Sequence, residues 1–572
     1  MRKELPSPHP FLAIVAAAVA SLILTHTAFP WGGGHDPLNE IAVEHLPAPI
    51  RQMLTPELQH KIVEWSHAPD DFTPWEEQTK ITLHPDDLAF LHSLGMNHPY
   101  ALHAPRGQAA NFILLTNAFR ENAPERIAYW SACLLHTFAD EAAANHDPLV
   151  HFITYGFKGG YQIDLSESGV LDFVEVTRTT EDRATIDNLL KDYAPNPLGT
   201  DPDDVLVKIM LHGLEANVYL TERGARVAHT FSQDASEAEI TDGRKALAEL
   251  GCYGIRTGVD AILTAYQFAT SGATTLTLTK TIQQTYEEQR TTFLANRPLS
   301  HDAAYHGLLD TPAHHDSPAI GVILEPSQTM NKSDLSFTSK WLTSATMRLL
   351  RDTDTPYRPL DLRTLTPAHT QDPADLPVII ICAGALRPAP ARQWLQAYAE
   401  KGGHILLIGG EHADLLGPLS EALIDVSENT HLPVTSRYGQ NNTTYIDNLS
   451  IRFLNEFADE KPDRTFPFLH NPDTKSGWQK PKCNYALPAT TPNVRPLAQL
   501  IEGTDTIDIA GVALDQDGRP MHIFIPEYLI SPYLLTEPTT PFDPSRPTFD
   551  PIATRLMKAA IKLLRSEQSP AK

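Results

Sequence analysis

The sequence predicts a multidomain protein in which an all-α domain is followed by an α/β domain. Its 572 residues exceed the usual size of one domain and can form roughly two to four full-sized cores. From residue 31 to about residue 297, apolar residues recur at the spacing of helices that bury one face. After residue 318 the apolar runs become short and rich in β-branched residues, which is typical of strands in an open sheet.

The chain begins with the features of an export signal. Arg2 and Lys3 supply the positive charge, and FLAIVAAAVASLIL, residues 11–24, supplies the apolar segment. This segment is shorter than the roughly 20 residues that a membrane-spanning helix needs. We therefore expect residues 1–30 to be a signal peptide, and the mature protein to be periplasmic or extracellular without a transmembrane span; an uncleaved N-terminal anchor is the alternative.

Helical periodicity occurs in four segments, which read IRQMLTPELQHKIVEW, RIAYWSACLLHTFA, DVLVKIMLHGLEANVYL and RKALAELGCYGIRTGVDAILTAYQFA. They place an all-helical domain at residues 31–297. Residues 298–318 are rich in proline, histidine and aspartate, a composition that predicts a linker.

Residues 319–572 predict the α/β domain. AIGVILEP and PVIIICAGAL are short buried strands, and PARQWLQAYAEKGGHILLIGGE is a helix that stops at Gly402-Gly403 before another strand. Two further strands are joined at Asp517-Gly518, and PIATRLMKAAIKLL closes the domain as an amphipathic helix.

Composition excludes several classes of function. The chain carries 70 acidic and 45 basic residues, a formal net charge of −25 that repels phosphate backbones and argues against duplex nucleic acid as a partner. Its four cysteines are scattered without C-x2-C spacing, which argues against a thiolate metal site or a dense disulfide framework.

The stretch CLLHTFADEAAANH, residues 133–146, carries the clearest chemical motif. His136 and Asp140 are four residues apart, so a helix presents the imidazole and the carboxylate on one face, and His146 follows. An isolated His-x3-Asp pair is also common as a hydrogen-bonded pair on solvated helices. The other histidines are therefore needed to decide whether this pair binds a metal ion.

The order of these residues resembles that of the zinc-dependent phospholipase C superfamily, which includes single-strand-specific zinc nucleases. WGGGHDPLNE stands directly after the signal, EWSHAPDDF and TLHPDD follow, and the H-x3-D-x5-H motif comes next. The resemblance covers roughly residues 31–220 and implies an all-helical fold that holds two or three zinc ions.

By this resemblance, the metal ligands are Trp31, His35, Asp70 or Asp71, His84, His136, Asp140, His146, and a final pair, His212 and Glu215. Imidazole and carboxylate groups suit zinc, and a carboxylate can bridge two cations. Trp31 could use its amine only if the signal is cut directly before it. Asp70 would also orient or deprotonate the attacking water. We expect the remaining histidines nearby to be ordinary exposed or hydrogen-bonded side chains; these are His60, His67, His92, His98, His103 and His151.

The second domain resembles the class I glutamine amidotransferase-like fold, which has a flavodoxin-like sheet, through VIIICAGAL, the helix and GGHILLIGGE. That family sets its catalytic cysteine between glycines, whereas Cys382 is flanked by isoleucine and alanine. We therefore expect this domain to be non-catalytic, and the sequence does not indicate its partner.

Together with the predicted signal peptide, this resemblance implies a secreted zinc-dependent phosphodiester hydrolase that acts on a phospholipid or another phosphodiester. HDPLVHF after the motif is similar to phospholipases C, so a phospholipase C is the first hypothesis. A single-strand-specific zinc nuclease is the alternative. A hypothesis of another class is a secreted binding or scaffold protein with a degenerate zinc site.

Overall fold

The computed structural model describes a helical N-terminal part and a C-terminal part built on a mixed sheet. The described residues are 34–79, 81–144, 180–229, 236–272, 276–301, 305, 308–309, 320–324, 343–344, 346–351, 353–369, 372–382, 389–408, 424–425, 449–458, 464–465, 485–486, 493–502, 505–525 and 551–565. The predicted signal peptide and the predicted ligands Trp31 and His146 lie outside these residues.

Ten α-helices are described in the N-terminal part, as its periodicity predicts. They are α1 (His35–His45), α2 (Ala48–Met53), α3 (Pro56–Glu64), α4 (Pro85–Ser93), α5 (Pro105–Arg120), α6 (Pro124–Glu141), α7 (Thr180–Leu190), α8 (Pro202–His229), α9 (Glu237–Thr270) and α10 (Lys280–Asn296). Prolines 85, 105 and 124 each begin a helix, where the missing backbone N–H costs nothing. Short 3₁₀ helices at Ala68–Asp70 and Pro99–His103 connect the early helices.

Helix α6 lies at the centre of the helical part. Every residue of it from Ile127 to Glu141 is buried. Helix α9 crosses α6 at glycines: a Cβ on Gly254 would lie 2.7 Å from Ala139 Cα, and a Cβ on Gly258 would lie 2.8 Å from Leu135 Cδ2. The absence of these side chains lets the two backbones approach closely, which holds α6 in position.

Gly254→Val is expected to lower the free energy of unfolding by about 1–3 kcal/mol, because the new side chain would collide with the backbone of α6. Gln267→Val, on the exposed face of the same helix, is the matched control and should cost far less. Denaturant unfolding of the two variants measures the difference. Equal stability would show that the approach of α9 to α6 is loose.

The segment predicted as a linker contains two buried apolar residues, Tyr305 and Leu308. The hydroxyl of Tyr357, a residue of the sheet part, donates a hydrogen bond of 2.9 Å to the Leu308 carbonyl. Arg363 donates to the carbonyl of Leu294 in the last turn of α10, at 2.9 Å. The segment is therefore partly packed into the core, because its apolar side chains gain more from burial than from exposure.

The sheet combines a parallel half and an antiparallel half. Its strands are β1 (Ile320–Leu324), β2 (Tyr357–Asp361), β3 (Val378–Cys382), β4 (His404–Ile408), β6 (Leu449–Phe453), β7 (Arg464–Thr465), β9 (Val494–Glu502), β10 (Asp505–Leu514) and β11 (Pro520–Ile525), and a separate pair consists of β5 (Ile424–Asp425) and β8 (Tyr485–Ala486). The order is β2-β1-β3-β4-β11-β10-β9-β6-β7. Pairing is parallel from β2 to β11 and antiparallel from β11 to β7.

Strands β1, β3, β4 and β11 lie where the sequence predicts them, whereas β2 falls on a segment for which no strand is predicted. Strands β1 and β3 are buried at every residue, as expected for strands covered on both faces. Gly402 (φ +86°), after helix α11 (Ala389–Glu400), and Gly518 (φ +78°), between β10 and β11, adopt the left-handed conformation that favours glycine. The closing helix, α12 (Pro551–Arg565), contacts β3, β4 and β11.

Candidate metal centre

Four side chains of the helical part bring their ligand atoms within 4.8 Å of one another: Asp70, His103, His136 and Asp140. Three of these residues are buried, and the side chain of His103 is 15% exposed. In the part of the chain that the structure describes, this is the group of histidines and carboxylates that could hold a metal ion.

Three structural elements position the four side chains. Helix α6 carries His136 and Asp140 one turn apart, as their spacing predicts. Asp70 ends one 3₁₀ helix and His103 ends another. A hydrogen bond of 3.1 Å from Tyr100 N to Asp71 O joins the two 3₁₀ segments, and both pack against α6.

The distances between the ligand atoms are close to those around a tetrahedral ion. Ligands bound at about 2.0–2.1 Å in a tetrahedral zinc site lie roughly 3.3–3.4 Å apart. His103 Nε2 lies 3.0 Å from His136 Nε2, 3.4 Å from Asp70 Oδ1 and 3.2 Å from Asp140 Oδ2. His136 Nε2 lies 3.5 Å from Asp70 Oδ1 and 3.8 Å from Asp140 Oδ2. The four atoms therefore surround one point.

Some buried polar atoms at this site lack a hydrogen-bond partner, and a bound cation would satisfy them. Asp70 Oδ2 and His35 Nδ1 are buried and have no hydrogen-bond partner among the described residues. Such atoms are costly in a protein interior unless a ligand satisfies them. Nitrogen and oxygen donors without a thiolate suit zinc and similar divalent ions.

The buried ionisable groups of the site shift one another's pKa values. Burial by itself raises the pKa of Asp70, but His136 and His103 outweigh it and hold this pKa well below its usual range. Burial and the neighbouring His136 lower the pKa of His35 to about 4. Burial also disfavours the charged form of His103, yet its hydrogen bonds with Asp140 and Asp70 raise its pKa to about 9. Without a bound ion, the site at neutral pH therefore holds an ionised Asp70, a neutral His35 and a protonated His103, and His103 would release its proton when it binds a metal.

The two carboxylate oxygens of Asp140 contact different histidines. Its Oδ1 lies 3.2 Å from His35 Nε2, and its Oδ2 lies 3.2 Å from His103 Nε2. The ring of His35 stacks on that of His136 with centroids 3.9 Å apart. Asp140 therefore contacts His35 and His103 through different carboxylate oxygens.

A backbone carbonyl and a neighbouring side chain orient the histidines. Nδ1 of His103 lies 3.1 Å from the carbonyl oxygen of Tyr100, which leaves Nε2 directed at the cluster. The ring of His67 meets that of His35 edge-on, and His67 Nε2 pairs with Asp36 Oδ1 at 3.3 Å. These contacts hold the imidazoles in one arrangement.

Of the two adjacent aspartates that the sequence could not distinguish, Asp70 and Asp71, the structure places one in the cluster. Asp70 enters the cluster and is 6% exposed. Asp71 turns away, and its Oδ1 accepts a hydrogen bond of 2.8 Å from Thr73 N. Successive residues of a tight turn point in different directions, so only one of the two can face α6.

His84 does not enter the described cluster, which corrects the ligand position that the resemblance implied. It precedes α4, its Nδ1 accepts from Asp86 N at 3.4 Å, and its side chain is 44% exposed. His103, which the sequence gave no reason to select, lies in the cluster instead. His84 stands one residue and His103 two residues before a proline that begins a helix, so local sequence could not distinguish them.

His212 and Glu215 also lie outside the described cluster, although the resemblance implied them as a ligand pair. His212 is buried, stacks on Phe138 at 4.0 Å and pairs with Thr257 Oγ1 at 3.1 Å, and burial lowers its pKa to about 3. Glu215 is exposed. Two side chains three positions apart on a helix point about 60° apart around its axis. This difference is enough to put one side chain in the core and the other in solvent.

The fold and the cluster define a protein with a buried aspartate–histidine centre, in a helical part, that could hold a metal ion. No family model matches the chain, and neither the curated proteins nor the solved structures contain a match. No helix among the described residues is long and apolar enough to cross a membrane. Any assignment of function therefore depends on the chemistry of this centre.

Proposed function

We propose that the protein is an exported zinc-dependent phosphodiester hydrolase, and that its substrate is a phospholipid cleaved in the manner of a phospholipase C. The placement of Asp140, between His35 on one side and His103 on the other, carries the proposal. A bridged pair of cations is the arrangement that clamps the attacking and leaving oxygens of a phosphodiester.

His35, Asp70, His103, His136 and Asp140 would hold the ions. Zinc bound there would lower the pKa of a coordinated water to near ~7 and take up charge on the phosphoryl oxygens. Asp70 keeps Oδ2 without a hydrogen bond among the described residues, so this oxygen can accept one from the attacking water and orient it. The side chain of His103 is more exposed than those of Asp70, His136 and Asp140, so the substrate would approach from its side.

A phospholipid is favoured over a nucleic acid by charge. The formal net charge of −25 opposes a polyanionic strand at long range, whereas a zwitterionic lipid carries no net charge. A single-strand-specific nuclease remains the alternative, because the same bridged centre would cleave any phosphodiester placed against it.

A hydrolysis screen tests the proposal. The protein is incubated with phosphatidylcholine, phosphatidylinositol and single-stranded nucleic acid, with and without a chelator, and its metal content is measured. We expect two or three zinc ions per chain, release of diacylglycerol, and loss of activity on chelation that added zinc restores. Preferred cleavage of the nucleic acid would select the alternative. One ion or none, without hydrolysis, would indicate a binding protein with a degenerate site.

A further inference from the structure

An exposed aromatic side chain lies beside the candidate metal centre. Phe72 is 64% exposed and is the exposed large hydrophobic residue of the described part of the chain. Single exposed apolar residues are common on proteins. Phe72 differs in its position, since it stands two residues after Asp70, and in the way in which it is held.

The ring of Phe72 is held in a fixed position by the residues around it. It stacks on Tyr100 with centroids 4.1 Å apart and an interplanar angle of 25°. The ring of Tyr100 in turn lies 4.6 Å from that of His103. A row of three rings therefore leads from the cluster to the surface, on the side where His103 is partly exposed.

Hydrogen bonds also fix the backbone on both sides of Phe72. Asp71 O accepts a hydrogen bond from Tyr100 N at 3.1 Å, and Asp71 Oδ1 accepts one from Thr73 N at 2.8 Å. The side-chain amide of Gln78 donates to Thr73 O at 2.9 Å. Because the turn is braced on both sides of Phe72, the ring cannot readily fold back into the protein to bury its apolar surface.

We propose that Phe72 inserts into the surface of a zwitterionic phospholipid bilayer and brings the open side of the metal centre against the lipid head groups. This inference rests on the proposed function, since a phospholipase must reach a phosphodiester that stays at a membrane surface. An aromatic ring that enters the interface next to the centre would keep that phosphodiester within reach.

The acidic residues near Phe72 favour a membrane surface without net charge. Asp71, Glu76 and Glu77 lie within five residues of Phe72, and the chain as a whole is acidic. Acidic groups beside the inserting ring are repelled by anionic lipids, whose surface potential is negative. A surface without net charge, such as phosphatidylcholine, imposes no such cost.

Vesicle flotation tests the inference with the full-length, metal-loaded protein. The vesicles consist of a phosphonate analogue of phosphatidylcholine, whose carbon–phosphorus bond the enzyme cannot hydrolyse. The wild type, Phe72→Ser and Phe72→Trp are compared, and thermal unfolding verifies that each is folded. Hydrolysis of a small soluble phosphodiester is measured in parallel.

We expect Phe72→Ser to bind the vesicles about tenfold more weakly or worse, because burial of a phenylalanine side chain is lost. Phe72→Trp should still bind, and brominated lipids should quench its added fluorescence. Hydrolysis of the soluble diester should be unchanged in both variants, since Phe72 does not touch the cluster.

Other outcomes would overturn the inference. They are a wild type that does not float, a Phe72→Ser protein that floats as well as the wild type, and an equal loss of hydrolysis on the soluble diester. Binding of single-stranded nucleic acid that depends on Phe72, in place of vesicle binding, would mean that the ring stacks on a base. If flotation depends on Phe72 but no diester is hydrolysed, the proposed function fails and the membrane contact stands.

Discussion

Asp140→Asn is expected to remove the bound metal and the hydrolytic activity together. The amide takes a negative charge from between His35 and His103 and offers one weak oxygen where the carboxylate offered two. Loss of even an indirect contact to a metal ligand costs about 10–100-fold in affinity or activity, so loss of the bridge should cost at least about 100-fold. Metal content by mass spectrometry and turnover on a phosphodiester measure the two effects.

Asp71→Asn is the matched control for this change. It replaces the same group one residue away from Asp70, but Asp71 turns from the cluster toward Thr73. The control should keep its metal and its turnover. An Asp140→Asn protein with wild-type zinc content and activity would show that the centre does not use this carboxylate, and the proposed function would fall with it.

His103→Ala is expected to lose metal and activity, whereas His84→Ala should keep both. His103 places Nε2 within 3.0–3.4 Å of three other ligand atoms, and no other described side chain replaces it. His84 accepts a hydrogen bond at the start of α4 instead. Its removal should cost only about 1 kcal/mol of stability, the usual value of a helix cap.

The same two variants test the cluster that contains His103 against the ligand set, containing His84, that the resemblance implied. If His84→Ala loses zinc while His103→Ala retains it, the cluster of Asp70, His103, His136 and Asp140 is not the metal centre. Metal content decides this without an assay of activity, and thermal unfolding verifies that both variants are folded. A loss of zinc in both variants would show that His84 also takes part in binding.

Local patterns in the sequence determined the helical N-terminal part, several strands of the sheet and part of the centre. Helical periodicity placed α6, and a spacing of four residues on that helix was sufficient to bring His136 and Asp140 to one face. Runs of β-branched residues likewise placed β1, β3 and β4. Each of these features depends only on residues that are neighbours along the chain, so the sequence could reveal it.

The remaining ligands were decided by tertiary structure, because they meet α6 from distant parts of the chain. Asp70 and His103 end two separate 3₁₀ helices, and the packing of those segments against α6 decides which side chain is buried. No periodicity describes such turns, so Asp70 could not be distinguished from Asp71. For the same reason His103 could not be preferred to His84: a metal ligand is defined by its distance from the other ligands in space, and spacing along the chain controls that distance only within a helix or a strand.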